Sequence, residues 1–106
     1  MAVAEPLNGC STLSNAAATA GKLVLIQRGG CDYSEKVYQG QLAGAVAAIV
    51  YNSGPGAIAA MRGGAHAADV TIPSIIIPYA DGNAIKAAAE VSPHAFCRRV
   101  CCMRVV

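Results

Sequence analysis

The chain has 106 residues, 55% of them hydrophobic and 13% charged, with a formal net charge of +2. That is enough chain for one modest core and too little for two domains, and no apolar run approaches the roughly 18 residues that would span a bilayer. Three of the eight Lys and Arg side chains (Arg98, Arg99, Arg104) crowd the last segment, and with one Phe and no Trp available to stack bases, nucleic-acid binding is set aside as a function.

The N-terminal stretch Met1–Leu7 lacks a basic flank and a continuous apolar segment. The protein is therefore expected to be cytosolic or to have its signal encoded outside this sequence. Lys22–Ile26 is aliphatic and β-branched without helical period, and Gly21 before it and Arg28-Gly29-Gly30 after it supply breaks, which predicts a buried strand. Asp32 stands three residues before Glu35, the spacing at which the Asp carboxylate accepts a backbone N–H while Glu35 reaches back to the cap. A helix is predicted over 33–43, stopped by Gly44 in a left-handed conformation.

Val46–Tyr51 follows too soon for an antiparallel return, so the two strands should be parallel, one βαβ unit with a right-handed crossover. Asn52-Ser53-Gly54-Pro55-Gly56 then supplies turn chemistry. Residues 57–69 read as a surface loop with at most one helical turn near Ile58–Met61. In Val70–Ile77, Pro73 lacks a donor and must lie at an edge, a bulge or a strand start, leaving Ser74–Ile77 as the strand. Asp81 is placed as the cap of a second helix reaching about Glu90.

Several residue types invite chemistry. Cys31, just before a helix N-terminus, reads either as a thiol activated by the helix dipole or as one half of a disulfide. His66 and Asp69, with Ser74 as a nucleophile, lack an elbow motif or paired carboxylates and read as an ordinary solvated pair. Gly29-Gly30 and Gly54-Pro55-Gly56 lack the context of phosphate loops and read as turns. His94, Cys97, Cys101 and Cys102 are soft ligands, but adjacent cysteines fit a zinc tetrahedron poorly. Palmitoylation beside Arg98 and Arg99 would need a membrane-proximal tail that nothing else indicates.

Seven pieces in order carry a resemblance: Gly9-Cys10-Ser11 with Leu13–Ala16; Gly21–Ile26; Arg28-Gly29-Gly30-Cys31-Asp32-Tyr33; Lys36-Val37; Gln41–Ala45; Ile49–Asn52; and Ile72–Ile75 with Ala80-Asp81-Gly82. Together they resemble the protease-associated domain, an insert or appendage of secreted peptidases and the luminal domain of vacuolar sorting receptors and transmembrane RING ubiquitin ligases. The expected fold is α/β (mixed α+β): a small open β-barrel or sandwich-like sheet containing the βαβ unit, flanked by two helices and incomplete at both ends. The domain is placed at residues 1–92 with its core at 10–90, and the cysteine- and arginine-rich tail 93–106 outside the fold. Gly40 departs from the family's usual alanine, at a propensity cost of about 1 kcal/mol.

The resemblance implies a Cys10–Cys31 disulfide, which would close a loop of about 20 residues and stabilise by roughly 3 kcal/mol. It also implies that Arg28, with Gly29, helps hold a peptide, while Met61, Arg62 and Gly63 form the other wall. A guanidinium suits this because it grips carbonyls or carboxylates with several donors. A purely structural Arg28, bonding a neighbouring loop at the strand end, is the competing reading. The implied function is a non-catalytic peptide- or protein-binding module with no cofactor, metal or catalytic residue, in the endomembrane lumen, vacuole or outside the cell. It would be linked to a peptidase, RING or membrane-anchoring region. The alternatives are an accessory-domain fragment of a secreted peptidase and a thiol redox protein with a free Cys31.

Overall fold

The computed structural model describes residues 1–58, 61 and 63–90. In chain order these form β1 (Ala2–Val3), α1 (Ala16–Thr19), β2 (Leu23–Gln27), α2 (Tyr33–Leu42), β3 (Ala47–Tyr51), β4 (Ser74–Ile77) and α3 (Tyr79–Glu90). The strands make one sheet in the order β1-β2-β3-β4 with every neighbouring pair parallel. The β2–α2–β3 unit is thus as expected. The described strands do not close into a barrel or form a second layer.

Register and side-chain alternation divide the core between two faces. Val24 pairs with Ala48 and Ile26 with Val50, and these four join Val37 of α2 in the main buried cluster. Leu25 and Tyr51, one residue out of phase, point to the other face, where α3 crosses β1, β2 and β3. Gly82 makes that crossing close: a β-carbon on it would lie 2.2 Å from Tyr51 Cβ. At Gly40 the same logic holds on the first face, because a β-carbon there would sit 2.9 Å from Val24 Cγ1. Its propensity cost is the condition for seating α2 on β2.

The sheet was expected to be incomplete at both ends, yet residues before Cys10 supply its β1 edge. Ala2 and Val3 pair with Val24 and Leu25, Ala4 N–H donates to Leu25 O at 2.9 Å, and Gln27 N–H donates to Leu7 O at 2.9 Å. The outer side of this edge is satisfied by Asn15, whose Nδ2 donates to Val3 O at 2.7 Å and whose Oδ1 accepts from Glu5 N–H at 3.3 Å. A side chain here takes the place of a further strand. Asn15 also precedes α1, a short helix the sequence reading missed.

Asp32 occupies the N-cap of α2, but its carboxylate makes no capping hydrogen bond. The predicted capping box does not form: Glu35 Oε1 instead accepts from Gln39 Nε2 at 3.1 Å. Gly44, at φ +90°, ends the helix as predicted. Pro73 immediately precedes the edge strand β4, and its carbonyl accepts from Ala48 N–H at 3.0 Å. Asp81 is not the cap of α3 but lies in its first turn, because the helix already starts at Tyr79. The helical turn foreseen near Ile58–Met61 and the tail 93–106 fall wholly or partly outside the described residues.

Candidate functional site

Because β2, β3 and β4 are parallel, their carboxyl ends open on one edge of the sheet. Arg28 N–H donates to Tyr51 O at 2.9 Å, and Asn52 N–H donates to Ile77 O at 3.0 Å, which carries the ladder one step past the strands. Beyond it, Arg28 Nη1 donates to Asn52 Oδ1 at 3.0 Å. Arg28 is exposed while Asn52 is buried. Asn52 also accepts from Ser53 N–H at 3.1 Å and donates to Ala57 O at 3.5 Å, so it braces both the guanidinium and the following turn.

The chain after Arg28 turns sharply through Gly29 (φ +112°) and Gly30 (φ +85°) into Cys31. A β-carbon on Gly30 would lie 3.1 Å from both Asn8 Nδ2 and Cys10 Sγ, so only glycine passes without strain. Cys31 is joined to Cys10 by a disulfide with a Cα–Cα distance of 5.8 Å. This removes the reading of Cys31 as a free thiol.

Beneath the disulfide lies Lys36, fully buried. Its Nζ donates to Asn8 O at 2.6 Å and to Gly29 O, and approaches Cys10 Sγ at 3.6 Å. Burial pushes its pKa down to about 8, since desolvation penalises the ammonium. One cation therefore holds the segment before Cys10 and the turn before Cys31 together. The sequence reading registered Lys36 only as part of a motif and missed this role.

The loop assigned to the other wall is docked on α2 rather than free. Gln41 Nε2 donates to Asp69 O at 3.0 Å and Gln41 Oε1 accepts from Thr71 N–H at 2.7 Å. His66 is not merely solvated beside Asp69: its Nε2 lies 3.1 Å from Glu35 Oε2, its Nδ1 lies 3.4 Å from Asp69 Oδ2, and its ring stacks on Tyr38 at 4.1 Å. Gly64 meets α2 at Asp32, whose carboxylate would overlap any β-carbon there. Met61 and Gly63 line a cavity of about 230 Å³ with Tyr33, Ser34 and Ser74, and Arg28 and Gly29 are not among its walls. Arg62 and the tail residues His94, Cys97, Cys101 and Cys102 lie outside the described residues. Among the described residues, no cluster of three His, Cys, Asp or Glu side chains could hold a metal, and no helix is long and apolar enough to cross a membrane.

A small parallel α/β domain, stapled by one disulfide and carrying an arginine turn on the carboxyl edge of its sheet, is the class of protein these features define. The PA domain family matches residues 1–85, and the chain belongs to that family.

Relatives carry a similar sequence within different larger proteins. Over 92 residues the chain is 39% identical to ER degradation-enhancing alpha-mannosidase-like protein 3 of Xenopus laevis, covering 80% of this chain and 10% of the relative. It is also 39% identical to the receptor homology region, transmembrane domain- and RING domain-containing protein 5 of Arabidopsis thaliana, covering 83% and 29%. Leucine aminopeptidase 2 of Trichophyton equinum is 47% identical over 57 residues, covering 54% and 12%. Among solved structures, the zinc aminopeptidase BSAP of Bacillus subtilis superposes with a TM-score of 0.53 at 29% identity, covering 66% of this chain and 17% of that one. The chain thus spans between 10% and 29% of the length of these relatives.

Proposed function

We propose that this domain is a non-catalytic binding module that takes a peptide or protein segment at the carboxyl edge of its sheet, with Arg28 and Gly29 as the principal contact. The observation that carries this reading is the exposed Arg28 guanidinium held at 3.0 Å by the buried Asn52. Ligands of open parallel sheets bind outside the carboxyl ends of the strands. An arginine pinned through one nitrogen keeps its other donors free for peptide carbonyls or an acidic side chain. Met61 and Gly63, next to the Gly64 that meets the start of α2, are proposed to bound the peptide from that side together with Arg62, which lies between them in the sequence.

In a longer protein the domain would present cargo or substrate to a linked region. The RING-containing and aminopeptidase relatives support this arrangement, and the aminopeptidase likeness in structure favours a second reading as the accessory domain of a secreted peptidase. Under either reading the Cys10–Cys31 bridge suits an oxidising compartment, so we place the domain in the endomembrane lumen, the vacuole or the extracellular space, with residues 1–92 as the functional unit. The test is binding to an array of short immobilised peptides, with Arg28→Ala as the control. Retained folding with lost binding supports the proposal, and unchanged binding removes Arg28 from it.

A further inference from the structure

The two sulfurs of the Cys10–Cys31 bridge stand in unequal surroundings. Cys10 Sγ lies 3.6 Å from the Lys36 ammonium and 3.5 Å from the carbonyl oxygens of Asn8 and Gly29, and Gly30 packs against it. Cys31 lies outside this nest, immediately before the exposed Asp32 at the start of α2. Both cysteines are half-buried, so the bridge is within reach of a small reagent.

From this asymmetry we propose that the bridge is a directional thiol–disulfide exchange site: a small thiol or dithiol reductant attacks Cys31 Sγ, and Cys10 is the leaving sulfur. The attacking thiolate forms a new S–S bond to Cys31, the Cys10–Cys31 bond breaks, and its electron pair stays on Cys10 Sγ as a thiolate facing Lys36. A second thiolate then displaces the first from Cys31 as a disulfide, so two external thiols are oxidised and the protein's two cysteines are reduced. Two arguments fix the direction. The Asn8, Gly29, Gly30 and Lys36 atoms crowd the approach to Cys10. The better leaving group is the sulfur whose thiolate is better stabilised. The Lys36 ammonium 3.6 Å from Cys10 Sγ also donates to the Asn8 and Gly29 carbonyls, whose oxygens 3.5 Å from that sulfur would otherwise oppose its charge. Cys31, by contrast, has only the roughly half charge of the α2 N-terminus, which the neighbouring Asp32 carboxylate partly cancels.

Opening the bridge this way would release Cys31 from Cys10 while Lys36 keeps its bonds to the Asn8 and Gly29 carbonyls and stays beside Cys10. The exchange itself does not depend on the domain's binding a peptide.

The experiment uses the whole oxidised chain, with the tail cysteines first blocked by N-ethylmaleimide. Limiting reduced glutathione is added, the reaction is quenched with an isotopically labelled maleimide, and tryptic peptides are mapped, Cys10 and Cys31 falling in different fragments. Glutathione on Cys31 with the labelled maleimide on Cys10 is the expected product, and Lys36→Met is expected to slow exchange about tenfold and erase the preference while Lys36→Arg keeps it. Glutathione mainly on Cys10, or shared equally, overturns the direction. A folded Lys36→Met protein with unchanged rate and preference overturns the role of Lys36. Should Lys36→Met fail to fold, the wild-type map and the Lys36→Arg protein decide the direction alone.

Discussion

Arg28 Nη1 donates to Asn52 Oδ1 at 3.0 Å, so an exposed guanidinium at the end of β2 is held by a buried amide at the end of β3. The structural and the ligand-binding readings of Arg28 are therefore compatible. One nitrogen braces the edge, and the fork that remains is presented to solvent.

Asn52→Ala tests the bracing half of this arrangement. The substitution removes the partner of Arg28, of Ser53 N–H and of Ala57 O together, and the expected loss is about 1–3 kcal/mol of unfolding free energy, read by urea denaturation. Amide exchange should accelerate at Ser53–Ala57. A loss below the error of the melt would mean that the turn holds itself.

Removing the staple should cost more. The Cys10→Ser, Cys31→Ser double variant reopens a loop with a sequence separation of 21, and the chain-entropy argument sets the loss at about 3 kcal/mol. Guanidinium melts at fixed pH, compared with the oxidised protein, measure it. An unaffected midpoint would contradict the staple's contribution.

Lys36 gives a pH signature with a definite sign. Its folded-state pKa is lowered from 10.5 to about 8, so between these values the unfolded chain holds a proton that the folded one has released. Stability should rise with pH across that interval, and the penalty for burying the charge is fully present below it. Lys36→Met should flatten this rise, because at neutral pH it removes the burial penalty while leaving the carbonyls of Asn8 and Gly29 without their donor, so the pH slope is the readout. Parallel pH profiles for the two proteins would contradict the assignment.

Helix propensity and packing disagree at Gly82, and packing should win. Propensity favours Gly82→Ala by up to about 1 kcal/mol, but the new methyl would enter Tyr51 at 2.2 Å, against the root of its side chain rather than a movable tip. A net loss of about 1–3 kcal/mol is expected, measured as a lower melting temperature. A stabilised variant would mean that α3 shifts freely on the sheet.

Most of the fold could be read from local signals. The apolar runs at Leu23–Gln27 and Ala47–Tyr51, separated by ten helical residues, allow only a parallel unit, and Pro73 marks the start of the edge strand. Ala2–Val3 was missed because two residues carry no period, and their pairing with Val24 and Leu25 is decided by tertiary contact. Asp32 looks like half of a capping box, yet Glu35 is drawn to Gln39 and His66, partners that sequence spacing does not reveal.

The site divides along the same line. Arg28 was singled out by its motif, and its contact with a ligand remains a proposal. Asn52 stood in the sequence as turn punctuation, and its bracing role depends on strands β2 and β3 ending side by side. Lys36 looks like a surface residue of a helix; its burial follows from carbonyls supplied 7 and 28 residues away, a coincidence no local pattern encodes.

The most direct test of the binding proposal is to compare wild type and Arg28→Ala for peptide binding and melting temperature in the same buffer. Asn52 Oδ1 keeps Ser53 N–H when Arg28 is truncated, so the expected stability loss is only about 0.5–1 kcal/mol. Binding of any peptide selected by the wild-type domain should fall at least about tenfold, the equivalent of one lost charge-assisted contact. Equal binding by the two proteins, or a variant that no longer folds, would contradict the placement of Arg28 at the ligand.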